Sequence, residues 1–434
     1  MSEQVPAVVL LAGGASSRFY PLSASTHKSF IQICGKPLIA HTLEDLQRSG
    51  FHSVVLVLSP RDYAEHTVGS FTQEYKLDQL DLQIVLQPEP KGQADAIFKA
   101  SQHLEHPENL LVASPYHTGL GEILTALWES HQKSNVLATL LGAPTEQPHE
   151  YGILQVDGQK VTGIQEKPAS TAHTNQKTAL RALSCYCLNK QLISSFENSQ
   201  EHYSLEKSVD AAAKDGRVEW IKNTTPLTSL KYAWQLLHVT ETILKNTQSS
   251  TASSAQVAKT ASIDDSQGPV VIDEYAQIKD FAKIAGPAYI GTGVLVGEHC
   301  FVRGSSIEHN TVVGSYSEIV RSVLLSGVSI HQGYCSDSIL GENTQVGAGL
   351  ITANLRLDHQ PVKITLRDKN VQTQRRKLGV ITGEGVHIGV RVTTMPGILV
   401  GAGATIFPGN TVFTSIGENQ VVKSSKTKGC TCQT

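Results

Sequence analysis

VIDEYAQIKDFAKIAGPAYIGTGVLVGEHCFV, residues 271–302, places a branched aliphatic at every sixth position: Ile272, Ile278, Ile284, Ile290, Val296 and Val302. After a slip of one residue Ile307, Val313 and Ile319 continue the series. Ile388, Val400, Ile406 and Val412 resume it, with Thr394 filling one place. Several of these residues precede a glycine, as in Ile290-Gly291, Val296-Gly297 and Ile388-Gly389. Neither a helix, with its period of about 3.6, nor a strand, with its period of about 2, repeats on six. A coil with three short strands per turn does, because each strand supplies one flat side and points one small aliphatic inward. The spacing predicts a left-handed parallel β-helix over residues 269–415. Its flat faces predict association into a homotrimer.

Upstream, residues 247–268 are rich in Ser, Thr and Ala and lack large apolar side chains, which predicts a flexible linker. Residues 1–246 have another rhythm. Apolar runs at 8–13, 53–59, 82–87, 109–114, 136–142 and 183–188 read as strands, and helical spacing appears in 36–50, ending at Gly50, and in 225–245. Strands alternating with helices predict an α/β Rossmann-like domain around a parallel or mixed sheet. The last residues, 416–434, read as a polar tail. Its Cys430 and Cys432 would leave a zinc shell half filled.

The whole chain, 434 residues, calls for two or three domains. With 40% hydrophobic and 17% charged residues and a net charge of −3, it has the composition of a soluble protein without the clustered basic face of a nucleic-acid binder. No run approaches the ~20 apolar residues of a membrane span. The opening MSEQVPAVVLLAGG lacks the basic start of a signal peptide. Seven scattered cysteines do not form a disulfide framework, and the expected location is cytoplasmic.

LLAGGASSRFYPLSASTHKSF, residues 10–30, follows the first predicted strand. Gly13 and Gly14 let backbone amides approach an anion, and Arg18 and Lys28 add cations suited to a triphosphate. With Gly35-Lys36-Pro37-Leu38, the set Leu11-Ala12-Gly13-Gly14, Arg18, Pro21-Leu22 and Lys28 resembles the signature of the sugar-nucleotide pyrophosphorylases. That family transfers a nucleotidyl group from an NTP to a sugar 1-phosphate and releases pyrophosphate. The resemblance continues in order over residues 6–245. It implies that Leu11, Ala12, Gly13, Gly14, Gln87 and Gly92 meet the nucleotide, UTP or dTTP. It implies that Tyr151-Gly152 and Glu166-Lys167-Pro168 meet the sugar and its phosphate, that Thr225-Pro226 closes the domain, and that Arg18 and Lys28 are catalytic cations.

The same resemblance implies Mg²⁺, held by an Asp at a mid-domain strand end and a second ligand near the closing motif. Neither is present. NLLVASPYHTG, residues 109–119, has no Asp or Glu, and Lys222 stands in the second place. Ser16 and Gln93 also depart from the family pattern. The expected metal-ligand set in this chain is therefore none. Three readings stay open: transfer with a rearranged metal site that recruits Asp95, binding without turnover, or a shifted alignment.

In the repeat region, HQGYCSDSILGENTQVGAGLITANLRLDHQPVKI, residues 331–364, interrupts the coil with a loop after TANL. It resembles the acetyltransferase half of the bifunctional N-acetylglucosamine-1-phosphate uridyltransferases and their archaeal counterparts. The resemblance implies acetyl-CoA as co-substrate, His331 as catalytic base, and Tyr334, Asn354 and Lys363 as sugar-phosphate contacts. A neutral imidazole suits removal of a proton from an amino sugar attacking a thioester. Arg375-Arg376-Lys377 adds a basic run, while Ser336 replaces the glycine expected before Asp337 and Gln360 a lysine. A bifunctional enzyme leads. An acetyltransferase alone and a non-catalytic sugar-nucleotide-binding subunit are the alternatives.

Overall fold

The computed structural model describes residues 5–14, 16–23, 27–65, 68–105, 107–166, 179–197, 203–224, 230–366 and 369–423. The chain divides into two compact units, Met1–Ala15 with Ile39–Leu227, and Ser16–Leu38 with Thr228–Thr434.

The first unit is built on nine strands: β1 (Ala7–Leu11), β2 (Ser53–Leu58), β3 (Asp81–Leu86), β4 (Asn109–Ala113), β5 (Ala138–Thr145), β6 (Gly152–Asp157), β7 (Lys160–Glu166), β8 (Ala179–Asn189) and β9 (Val218–Lys222). They form one sheet in the order β3-β2-β1-β4-β8-β5-β9-β7-β6. β1 to β4 are mutually parallel, β8 runs antiparallel between β4 and β5, and β6–β7 is an antiparallel hairpin. The sheet is mixed, as the alternation of strands and helices predicts. β1, AVVLL, is apolar throughout because both its neighbours are strands and both its faces are covered. Around the sheet lie α1 (Leu38–Arg48), α2 (Gln93–Ser101), α3 (Leu120–His131) and α4 (Ser204–Lys214). α1 ends where Gly50 takes φ +82°, a conformation that costs glycine little.

The second unit includes α5 (Leu236–Lys245) and three stacks of short parallel strands. Every third strand pairs with the last, so one turn of chain contributes one strand to each stack. Ile272, Ile290, Ile307, Leu324 and Leu340 lie in register in the first stack. They share one buried core with Ile278, Ile284, Val296 and Val302 from the other two. This is a parallel β-helix, and the period of six is the spacing of its inward positions.

Its extent differs from the sequence expectation at both ends. Residues 247–268, expected as linker, contain Ser250–Thr251, Gln256–Val257 and Ser262–Asp264, which pair with the next turn as a complete first rung. Backbone hydrogen bonds to that next rung hold them, with Ala255 and Ala261 packed on the core. At the far end Val421–Val422 still pairs with Thr405–Ile406, within the predicted tail. Cys430 and Cys432 lie outside the described residues.

An excursion leaves the coil at Asn354 and returns at Leu378, whose amide donates to the Asn354 carbonyl at 2.8 Å. It contains the antiparallel hairpin Lys363–Leu366 and Lys369–Gln372. Among the described residues no helix is long and apolar enough to cross a membrane.

Candidate functional site

In the first unit the predicted nucleotide residues meet at the C-terminal ends of β1, β2 and β3, the edge where parallel sheets hold ligands. The Ala12 amide donates to the Val57 carbonyl at 2.9 Å and the Gln87 amide to the Leu58 carbonyl at 2.8 Å, which anchors both turns to β2. Gln87 is buried, and its Nε2 donates to the Gly92 carbonyl at 3.0 Å and to Asp95 Oδ2 at 2.7 Å. A methyl on Gly13 would stand 3.1 Å from Gln87 Oε1, so the glycine lets the two turns touch. Leu11, Ala12, Gly13, Gln87 and Gly92 thus form one rim, with Gly14 exposed beside it.

On the β6–β7 hairpin Gly152 lies opposite Glu166, and a side chain on Gly152 would meet Glu166 Oε2 at 2.9 Å. The Arg181 guanidinium stacks on the Tyr151 ring, 4.4 Å from its centre, a contact no sequence motif announced. Lys167, Pro168 and Thr225-Pro226 lie outside the described residues. Arg18 and Lys28 fall in the second unit. Arg18 is exposed, and Lys28 Nζ donates to the Leu230 carbonyl at 2.7 Å.

The described residues do not fit the magnesium site that the family resemblance implies. β4 runs out into Ser114, Pro115, Tyr116 and His117, and β9 ends on Lys222. Asp95 is already engaged by Gln87 and by Lys99 Nζ at 2.8 Å. Among the described residues no three His, Cys, Asp or Glu side chains cluster for a metal.

In the second unit one of the acetyl-transfer candidates, Asn354, is tied to a buried carboxylate. Asp337 is buried and accepts from Arg321 Nε at 2.8 Å, Arg321 Nη2 at 2.7 Å and Asn354 Nδ2 at 2.6 Å. Burial pushes its carboxyl up, but the Arg321 and Asn354 bonds outweigh that and hold it below the usual value. Ser336, the departure from the expected glycine, is part of this network: its Oγ takes Arg321 Nη2 and Asn354 Nδ2, both at 3.1 Å. Tyr334 lies on the same strand, Ser329–Ser336. His331 is exposed three residues earlier on that strand. Lys363 is exposed at the base of the excursion hairpin, next to Val362, whose amide donates to the Arg375 carbonyl at 2.8 Å.

Beside this network is a cavity of about 310 Å³. One wall is the Leu237, Thr240, Glu241, Leu244 and Lys245 face of α5, and the other is a corner of the coil with Arg303 and Arg321, one rung apart, and Arg375 from the excursion. Arg321 is neutralised by Asp337. Arg303 has no side-chain bond to a described residue, and the Arg375 side chain donates, among the described residues, only to the Lys377 carbonyl at 3.3 Å. Burial lowers the Arg375 value, with Asp337 and Glu241 opposing. Two guanidiniums without a carboxylate bonded to them thus share this cavity with the carboxylates of Glu241 and Asp264. Sequence reading singled out Arg375 but missed Arg303 and Arg321, whose one-rung spacing was the available signal.

Residues 7–235 match the Nucleotidyl transferase family model, and residues 266–371 match that of the GMPPB C-terminal domain. A bifunctional sugar-1-phosphate nucleotidylyltransferase/acetyltransferase of Sulfurisphaera tokodaii is 29% identical over 424 residues, covering 95% of this chain and 99% of the relative. The bifunctional protein GlmU of Methanocaldococcus jannaschii is 28% identical over 407 residues, covering 92% of each. A solved UDP-glucose pyrophosphorylase from Acinetobacter baumanii is 19% identical, with a TM-score of 0.46, over 55% of this chain and 93% of its own. The first family model spans more than half of the chain, with the Leu11–Gly14 turn, Gln87 and Gly92 inside it: this chain belongs to the nucleotidyl transferase family.

Proposed function

We propose that the protein is a bifunctional enzyme of sugar-nucleotide synthesis. It transfers a nucleotidyl group from UTP or dTTP to a sugar 1-phosphate, releasing pyrophosphate, and acetylates an amino sugar phosphate from acetyl-CoA on the coil. The observation that carries this reading is the match to bifunctional relatives along nearly the full length of both chains. The rim of Leu11–Gly14, Gln87 and Gly92 is suited to the nucleotide, and Gly152 with Glu166, and Lys167 beyond it, to the sugar. On the coil, the acceptor phosphate is assigned to Arg303 and Arg375, together with Tyr334, Asn354 and Lys363. His331 takes the amine proton as nitrogen attacks the thioester carbonyl and the thiolate of coenzyme A leaves. A left-handed coil, a homotrimer formed through its flat faces and a cytoplasmic location complete the reading.

The lost magnesium ligands favour a second reading, in which acetyl transfer alone survives. Measuring pyrophosphate release and coenzyme A release separately, over a panel of NTPs and sugar phosphates, distinguishes the two. His331→Ala is expected to abolish coenzyme A release and leave the oligomer intact. Arg375→Ala is expected to raise KM for the phosphorylated acceptor about tenfold or more, the worth of one charge-assisted hydrogen bond. Unchanged coenzyme A release in His331→Ala removes that residue from the mechanism.

A further inference from the structure

Glu308 is fully buried at the end of the strand Ser306–Ile307 and has no ion pair with a described residue. A buried carboxylate without a cation is costly unless hydrogen bonds replace its water. Here they come from a distant turn. The hairpin Gln32–Ile33/Lys36–Pro37 has Cys34 at φ +52° and Gly35 at φ +83°. The Cys34 amide donates to Glu308 Oε1 at 2.7 Å and the Gly35 amide to Oε2 at 3.0 Å. The Ser306 hydroxyl adds a bond at 2.5 Å. The fit is specific to glycine, since a methyl on Gly35 would collide with the Tyr289 hydroxyl, itself bonded to Asp273 at 2.5 Å.

The same segment touches the coil again. A methyl on Gly401 would stand 2.6 Å from the Tyr20 hydroxyl, and burial, then Glu418, raise the Tyr20 value. In the first stack the strands Ser306–Ile307 and Leu399–Val400 are separated by three others. The two contacts are therefore about 19 Å apart at ~4.8 Å per rung. Arg18 lies two residues before Tyr20, and Lys28 between the two contacts.

We propose that Glu308 is a positioning residue for nucleotidyl transfer: from the coil it fixes the Ser16–Leu38 segment and so sets where Arg18 and Lys28 stand. This rests on the reading that those two cations bind the triphosphate. The coil then serves both reactions, carrying the acetyl-transfer residues and holding the phosphate-binding segment.

The test uses the full chain with Glu308→Ala, Glu308→Gln and Gly35→Ala. Expected for Glu308→Ala and Gly35→Ala are an apparent KM for NTP raised about tenfold or more, faster hydrogen exchange at the Cys34 and Gly35 amides, and unchanged KM and kcat for coenzyme A release. Glu308→Gln, keeping one acceptor oxygen, should fall between. A general folding defect would instead lower kcat of both reactions and leave both KM values alone. Faster exchange with an unchanged KM overturns the positioning role, and unchanged exchange overturns the latch. Should wild type release no pyrophosphate, the transfer reading fails, and calorimetric NTP affinity decides the proposal. A weaker affinity in Glu308→Ala upholds it; an equal affinity, or no binding by wild type, overturns it.

Discussion

Ser336 and Glu308 are single side chains whose roles come from the residues that converge on them. At 336 the family resemblance calls for glycine, yet the serine hydroxyl bonds Arg321 and Asn354 and becomes part of the candidate acceptor site. Glu308 makes a prediction of its own. Burial pushes its carboxyl from the ordinary 4.5 up to about 7, with Asp273 adding to the rise and Ser306 and the two turn amides opposing it. Between those pH values the folded protein keeps a proton that the unfolded chain has released, so raising the pH favours unfolding. The stability this group contributes is complete below about pH 4.5 and is lost as pH rises to about 7, by an amount on the order of 3 kcal/mol. Denaturant midpoints measured from pH 4.5 to 8 should show this decline in wild type. Glu308→Gln, which cannot ionise, should lack that part of the slope.

The β-helix shows what a rung requires. All six inward positions of the opening motif have no accessible surface or nearly none, and Thr394 takes an inward place in a later turn. Its Oγ1 is buried without a hydrogen-bond partner among the described residues. An unsatisfied buried hydroxyl costs roughly 1–3 kcal/mol, and valine has nearly the same shape. Thr394→Val is therefore expected to stabilise the protein by about 1 kcal/mol, read as a higher denaturant midpoint with both activities unchanged. The first rung shows the opposite case. Thr251, Val257 and Ile263 keep the step of six, and they align with Ile272, Ile278 and Ile284. Their Ser- and Ala-rich setting resembled a linker, because a terminal rung has a neighbour on one side only and needs less apolar surface.

Over the whole molecule, the altered cation site separates this chain from the family pattern. Two acidic side chains facing a triphosphate need a divalent cation between them, since like charges at ~4 Å repel by several kcal/mol in a partly buried site. Here the protein side lacks those carboxylates, and Lys222 stands in the second ligand's place. Nucleotide is expected to bind with weak or no Mg²⁺ dependence, while turnover is slow for want of an octahedral template. Calorimetric titration of NTP with Mg²⁺ and with EDTA checks this. Loss of binding in EDTA, with fast pyrophosphate release restored by Mg²⁺, would mean that another carboxylate completes the site.

The sequence by itself determined the coil, the α/β sheet and the glycine turn after β1, because each follows from side-chain spacing or backbone freedom within a few residues. Its motifs also located Gln87, Gly92, Gly152 and Glu166, which the fold places at one sheet edge or across one hairpin. Only the tertiary structure decided the rest. Glu308 meets Cys34 across 274 positions, Arg321 and Asn354 meet on Asp337, and Arg303, Arg321 and Arg375 share one cavity. These groupings leave no local pattern. The cost of burying a charge is offset by whichever donors the folded chain brings to it, and those donors are set by how rungs stack and loops return, not by neighbours in sequence.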